Sequence, residues 1–126
     1  ASLIEKEARF PGDRYKIASL IYNRLAINMP LQIDATVLYG LGRSSGSLSK
    51  KDLATDTPYN SYLYKGIPST PISMISMASL KAALNPADTQ YLYYVLTDKK
   101  TGEHKFARTY EEHLANIADS KARGVL

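Results

Sequence analysis

Tyr91-Leu92-Tyr93-Tyr94-Val95-Leu96-Thr97 is the stretch that decides the fold class. Aromatic and β-branched residues crowd it, which suits the pleated, half-buried surface of a strand. Asp98-Lys99-Lys100-Thr101-Gly102 follows with turn chemistry, and Glu103 to Arg108 alternates in polarity and returns as a partner strand. The pattern predicts a β-hairpin. The rest of the chain reads as helix or ordered loop. The expected fold class is therefore α+β, a helix-dominated single domain with a β-hairpin near its C-terminal end.

Working outward, Thr109 and Glu112 form a capping box for a last helix, which carries Leu114, Ile117 and Ala118 and ends near Gly124. On the other side of the hairpin, a helix is expected from Met74 to Leu84, halted by Asn85-Pro86. Thr57 to Pro71 reads as an ordered loop, punctuated by Tyr59, Tyr62, Leu63, Tyr64 and Ile67. Ser49 and Asp52 cap a short turn of helix from Lys50 to Ala54. Asp34 is a plausible N-cap for a helix from Ala35 to Tyr39 that closes at Gly40. A longer helix from Asp13 to Asn28 has Ile17, Leu20, Ile21 and Leu25 on one face and stops at Met29-Pro30. The first helix spans Ala1 to Phe10 and stops at Pro11-Gly12. It opens the chain without an N-cap, as expected of a piece cut from a longer polypeptide. No internal repeat or domain boundary interrupts residues 1–126.

Composition narrows the function classes. A chain of 126 residues supports one hydrophobic core, and 44% apolar with 22% charged residues excludes a disordered tail. The net charge of +4 is well below that of a dedicated nucleic-acid binder. Cysteine is absent, which removes disulfides, thiol nucleophiles and thiolate metal sites. The longest uncharged stretch, Gly66 to Leu80, is interrupted by Pro68, Pro71 and several Ser, so it is no membrane span. No basic start followed by an apolar stretch is seen in these residues, so no signal peptide is expected among them. Ten Tyr stand beside two Phe and no Trp. An apolar face with a polar tip suits a groove for sugars, although any single Tyr is also an ordinary half-buried core residue.

Glu7 is the sharpest chemical signal. At about 100° per residue, Phe10, Leu3, Ile4, Ala8 and Ala1 fall on one half of the first helix. Glu7 projects from the middle of that half, and Glu5 lies at its edge. A carboxyl on an apolar face loses water, which raises its pKa and keeps the proton that a general acid donates to a glycosidic oxygen. On periodicity alone, a carboxylate that reaches past the core edge to an Arg or Lys is an equal reading. Gln32 and Asp34 flank Ile33 ahead of a helix. Tyr59-Asn60-Ser61-Tyr62 places an amide and hydroxyls in a loop, where binding groups sit but where Asn and Ser also serve as turn residues. Asp56 is a second carboxylate of more structural character. His104 and His113 are isolated, without metal-ligand spacing, and read as surface or satisfied positions. No dinucleotide loop or nucleophile elbow is present.

The residues Ala1-Ser2-Leu3-Ile4-Glu5-Lys6-Glu7-Ala8, Ile21-Tyr22-Asn23-Arg24-Leu25 and Leu31-Gln32-Ile33-Asp34-Ala35-Thr36-Val37-Leu38-Tyr39-Gly40 belong together. With Thr57-Pro58-Tyr59-Asn60-Ser61-Tyr62, Gly66-Ile67-Pro68, Ser79-Leu80-Lys81-Ala82-Ala83-Leu84-Asn85-Pro86 and Tyr91-Leu92-Tyr93-Tyr94-Val95, they resemble the MltG/YceG-type endolytic murein transglycosylases. The resemblance covers nearly the whole chain. It implies a lysozyme-like active-site cleft and cleavage of the MurNAc–GlcNAc β-1,4 bond of peptidoglycan with 1,6-anhydro ends. One Glu acts as acid and then as base, which the family's Glu-Lys-Glu places on Glu7, with Glu5 as the fallback. Gln32, Asp34, Tyr59, Asn60 and Tyr62 become candidates for binding sugar or steadying the developing positive charge. No metal or organic cofactor is implied. The expected partners are glycan strands and the cell-wall synthesis machinery, with no nucleic acid. The family places the parent protein on the extracytoplasmic face of the bacterial cell membrane, through an N-terminal anchor that this sequence lacks along with a LysM-like region. Met74-Ile75-Ser76 stands where relatives carry Asn-Pro-Gly, so this loop is expected to be partly helical. Two rivals remain open: a hydrolytic muramidase with Asp34 or Asp56 as second carboxylate, and a non-catalytic glycan-binding module.

Overall fold

Pro11 ends the first helix earlier than its own position suggests. The computed structural model describes residues 1–126, and helix α1 runs Ser2–Glu7. A proline has no N–H to bond the carbonyl four residues back, and its ring crowds that carbonyl. Four residues before Pro11 is Glu7. Arg9 N–H turns back to the Glu7 carbonyl instead, and Phe10 is extended. A 3-10 turn at Pro11–Asp13 then leads into α2 (Arg14–Ala26). The Asp13–Asn28 expectation for that helix is right at its centre and shorter at both ends.

Helix α3 is Asp34–Gly40, α4 is Lys50–Leu53, α5 is Met77–Leu84 and α6 is Tyr110–Ala122. Strands β1 (Tyr93–Leu96) and β2 (His104–Ala107) pair antiparallel, with Tyr94 opposite Phe106 and Leu96 opposite His104. Six helices and one two-stranded sheet give the α+β class expected. The Ser49–Asp52 capping box is present, and Thr109 accepts from Glu112 N–H at the start of α6.

Two local expectations fail for identifiable reasons. Residues 74–76 are not helical: Ser76 is the N-cap of α5, its hydroxyl accepting from Ser79 N–H, so the helix starts at Met77. Asp34 does not cap α3. It is the first residue of the helix, no side chain caps that end, and its carboxylate is engaged elsewhere. Of the apolar residues that α6 carries, Leu114 stays 47% exposed and Ile117 is half-buried, and the fully buried residue is Ser120, whose hydroxyl donates to the Leu96 carbonyl.

The core gathers Leu3, Ile4 and Ala8 around α1, Ile17, Ala18 and Ile21 of α2, Leu31 and Ile33 of the following segment, Ile72 and Ala82. The hairpin and α6 pack on each other beside it. The seam between the core helices and the hairpin is where polar side chains collect.

Candidate active site

Glu7 occupies the last position of α1, next to buried Leu3, Ile4 and Ala8. Its backbone is fixed by the core, and its carboxyl enters a cleft of about 350 Å³. The other walls are Arg24, Gln32, Asp34, Tyr62, Tyr94, Val95, Leu96, His104 and His113. The Tyr94 hydroxyl donates to Glu7 Oε1 at 2.9 Å. Burial pushes the Glu7 carboxyl up to about 6, against the Tyr94 hydrogen bond, which lowers it; the Asp34 charge adds to the rise and Arg24 opposes it. The acid therefore keeps its proton to higher pH than an ordinary Glu and titrates at about 6. Tyr94 itself is driven well above its ordinary range, by burial first and then by Glu7, and remains a hydroxyl donor.

The second wall is built by a buried hydroxyl network. Ser61 Oγ accepts from Ile33 N–H at 2.9 Å and shares a 2.7 Å hydrogen bond with Thr36 Oγ1, while Gln32 N–H donates to the Ser61 carbonyl. Ser61 and Thr36 are sealed from solvent, so these bonds fix the 31–36 backbone against the 57–71 loop. Gln32 is held at φ 51 between buried Leu31 and Ile33. A left-handed non-glycine costs about 1–3 kcal/mol and persists only where its surroundings enforce it. The Gln32 side chain lies outside the core and lines the cleft. Tyr62 donates its hydroxyl to Asp34 Oδ1 at 2.5 Å, and burial with this carboxylate keeps the phenol protonated.

Arg24 joins the two walls. It is 5% exposed, its Nε donates to the Leu92 carbonyl at 2.7 Å, and an Nη1 hydrogen bonds the Leu31 carbonyl. The guanidinium lies 5.8 Å from the Tyr93 ring centroid. It has no carboxylate within salt-bridge distance, so its charge acts on the cleft from behind. Burial pulls Arg24 below its usual range without threatening its protonation. Beyond it, the His113 ring stacks on Tyr93 at 5.1 Å, its Nδ1 buried without a partner, and burial lowers its pKa.

The structure brings Glu7, Gln32, Asp34 and Tyr62 together in one cleft. It does not bring Tyr59 and Asn60 there. Tyr59 packs edge-on against Tyr39 at 4.7 Å and bonds Thr70 Oγ1 through its hydroxyl. Asn60 is fully buried, its amide donating to the Leu53 and Thr55 carbonyls and its Oδ1 accepting from Tyr62 N–H. Every polar atom of that side chain is spent, its amide on the end of α4 and its oxygen on the loop, which it holds so that Tyr62 reaches Asp34. Glu5 turns away to accept from Ser76 N–H at the start of α5, and those hydrogen bonds hold it below the usual carboxylate range. Asp56 accepts from Tyr64 outside the cleft. Arg24 and Tyr94 line the cleft although the residue patterns did not single them out, and so do His104 and His113, which were read as surface or satisfied positions: His104 is satisfied at Nδ1 by Asp13, whereas His113 Nδ1 is buried without a partner. Arg24 was within reach of the argument used for Glu7, because it follows Ile17, Leu20 and Ile21 at helical spacing on the buried face. A larger, more open hollow of about 550 Å³ at Asp88, Thr89, Gln90, Tyr91 and Arg108 holds no buried acid and offers no comparable chemistry. No group of three or more His, Cys, Asp or Glu is arranged to hold a metal ion.

Comparison with known proteins gives the family. The chain is 49% identical over 113 residues to an endolytic murein transglycosylase of Bacillus subtilis, covering 90% of this chain and 31% of that protein. It is 36% identical over 124 residues to an endolytic murein transglycosylase of Streptococcus pneumoniae, covering 94% of this chain and 22% of that one. A crystal structure of a YceG-like protein from Listeria monocytogenes superposes with a TM-score of 0.80 at 44% identity, over 90% of this chain and 37% of that chain. The chain thus spans less than a third of the length of these two named relatives. The description "YceG-like family" matches residues 1–119, and the chain belongs to that family.

Proposed function

We propose that the chain is the catalytic part of an endolytic murein transglycosylase, with Glu7 as its single acid and base. The observation that carries this reading is the Glu7 carboxyl, shielded in a cleft and titrating near 6, in the seam between the core helices and the hairpin. A glycan strand lies in this seam as in a lysozyme-like groove. Glu7 gives its proton to the bridging oxygen of the MurNAc–GlcNAc bond as the C1–O bond breaks. Positive charge develops at the anomeric carbon, and the carboxylates of Glu7 and Asp34 stabilise it. The C6 hydroxyl of the same muramyl residue then attacks C1, and Glu7 takes the hydroxyl proton back. No water is consumed, and the product ends in 1,6-anhydro-MurNAc. Gln32 and Tyr62 supply polar contacts to the sugars. Tyr59 and Asn60 contribute by holding the loop.

In the intact protein this reaction belongs on the extracytoplasmic face of the cell membrane, beside the cell-wall synthesis machinery and reached through an anchor outside this sequence. No helix of the chain itself is long and apolar enough to cross a membrane. Digestion of purified murein tests the proposal. Glu7→Gln is expected to lower cleavage at least about 100-fold, the usual scale for loss of a general acid. Mass spectrometry of the products is expected to give anhydro ends. Equal digestion by wild type and Glu7→Gln overturns the assignment. Asp34 in the same cleft supports a second reading, a hydrolytic muramidase, and reducing MurNAc ends would select it.

A further inference from the structure

Asp13 is a carboxylate that the reaction above does not use. It is 2% exposed, at the end of the 3-10 turn, and both hydrogen bonds of its side chain go to His104 of the hairpin. Its Oδ2 accepts the His104 backbone N–H at 2.8 Å and meets His104 Nδ1 at 3.1 Å. A buried carboxylate beside Nδ1 holds the proton on that nitrogen. In the neutral ring Nε2 is then a hydrogen-bond acceptor. Nε2 has no partner in the protein and is not sealed from solvent, and His104 lines the cleft that contains Glu7. The ring is only 12% exposed and stands edge-on to Tyr94 at 5.2 Å, the tyrosine that binds Glu7. Its position is fixed by strand pairing, by Asp13 and by Tyr94 together. The cleft thereby carries an oriented acceptor on its hairpin wall, facing the same space as the acid on its helical wall.

We infer that the Asp13–His104 pair is a glycan-binding element in which His104 Nε2 accepts a hydrogen bond from a ring hydroxyl or acetamido N–H of the bound strand. The inference rests on the murein reading of the cleft. A purely structural role is the alternative, since Asp13 also ties β2 to the start of α2. The two ring nitrogens separate these roles. The amide of Asn replaces Nδ1 and keeps the tie to Asp13, whereas the amide of Gln reaches the place of Nε2.

The test titrates peptide-stripped glycan strands from purified murein into the Glu7→Gln chain, alone and combined with His104→Asn or His104→Gln. Chain labelled with ¹⁵N in its histidines reports the tautomer. The expected result is an Nδ1-protonated His104 whose Nε2 signal shifts on adding glycan. His104→Asn should weaken binding about tenfold, the loss of one well-placed hydrogen bond. His104→Gln should stay within about threefold of the parent. In the otherwise wild-type enzyme, His104→Asn should raise KM more than it lowers kcat. Unchanged binding by His104→Asn, or an Nε2 signal that glycan does not move, overturns the inference while leaving the murein reading intact. If His104→Asn does not fold, the Nε2 signal of the parent still decides. Failure of the parent to bind glycan overturns both, and that outcome is distinct from the first.

Discussion

At Glu7 two influences oppose each other on one carboxyl group. Burial raises its pKa, and the Tyr94 hydroxyl lowers it. Tyr94→Phe removes the lowering influence alone, so Glu7 should titrate above its present value near 6. A general acid works while protonated, so the limb on which kcat falls with rising pH should move to higher pH. A pH–rate profile on soluble glycan strands checks this, and a limb shifted the other way would contradict it. The same pKa has a consequence for stability. The folded chain holds this proton more tightly than a group at the ordinary 4.5. Stability therefore falls as pH rises from 4.5 to about 6, and the cost, about 2 kcal/mol, is fully present above that. Glu7→Gln cannot titrate. Urea unfolding should show it gaining up to about 2 kcal/mol over wild type at pH 8 and nothing comparable at pH 4.

The loop from Thr57 to Pro71 shows how an element without regular structure becomes rigid. Its large apolar side chains, expected to anchor it, are largely at the surface: Leu63 and Tyr64 are each 48% exposed and Ile67 is 67% exposed. The anchors are Asn60 and Ser61, both buried and fully hydrogen-bonded. Asn60→Ala takes the donor from the Leu53 and Thr55 carbonyls and should cost about 2–3 kcal/mol in chemical denaturation. Because Tyr62 N–H also loses its acceptor, cleavage should fall further than the stability loss explains at temperatures where the variant is folded. Composition pointed to an ordered loop, but not to the residues that order it. Turn residues and buried clamps have the same sequence, and only the position of the acceptors tells them apart.

Across the whole molecule, one guanidinium connects the parts. Arg24 on α2 holds the Leu31 carbonyl on one side and the Leu92 carbonyl on the other, so it sets the width of the cleft between the 31–36 segment and the hairpin. Lysine presents a point charge without the planar fork and cannot serve both carbonyls at this geometry. Arg24→Lys should cost about 2–3 kcal/mol in thermal or urea unfolding. It should also lower kcat, since a displaced hairpin carries Tyr94 away from Glu7. A variant with native stability and native kcat would show that the cleft is held by other contacts.

By itself the sequence determined the α+β class, the hairpin, the caps at Ser49 and Thr109, and the placing of Glu7 on a buried face. All of these depend on neighbours within a few residues, where helical or strand periodicity and capping chemistry act directly. Tertiary structure alone decided which side chains share the cleft. Tyr94 meets Glu7 across 87 residues and His104 meets Asp13 across 91. No local period encodes such pairs. They exist because the core docks α1 and α2 against the hairpin, and polar groups stranded in that seam must find one another or remain unsatisfied.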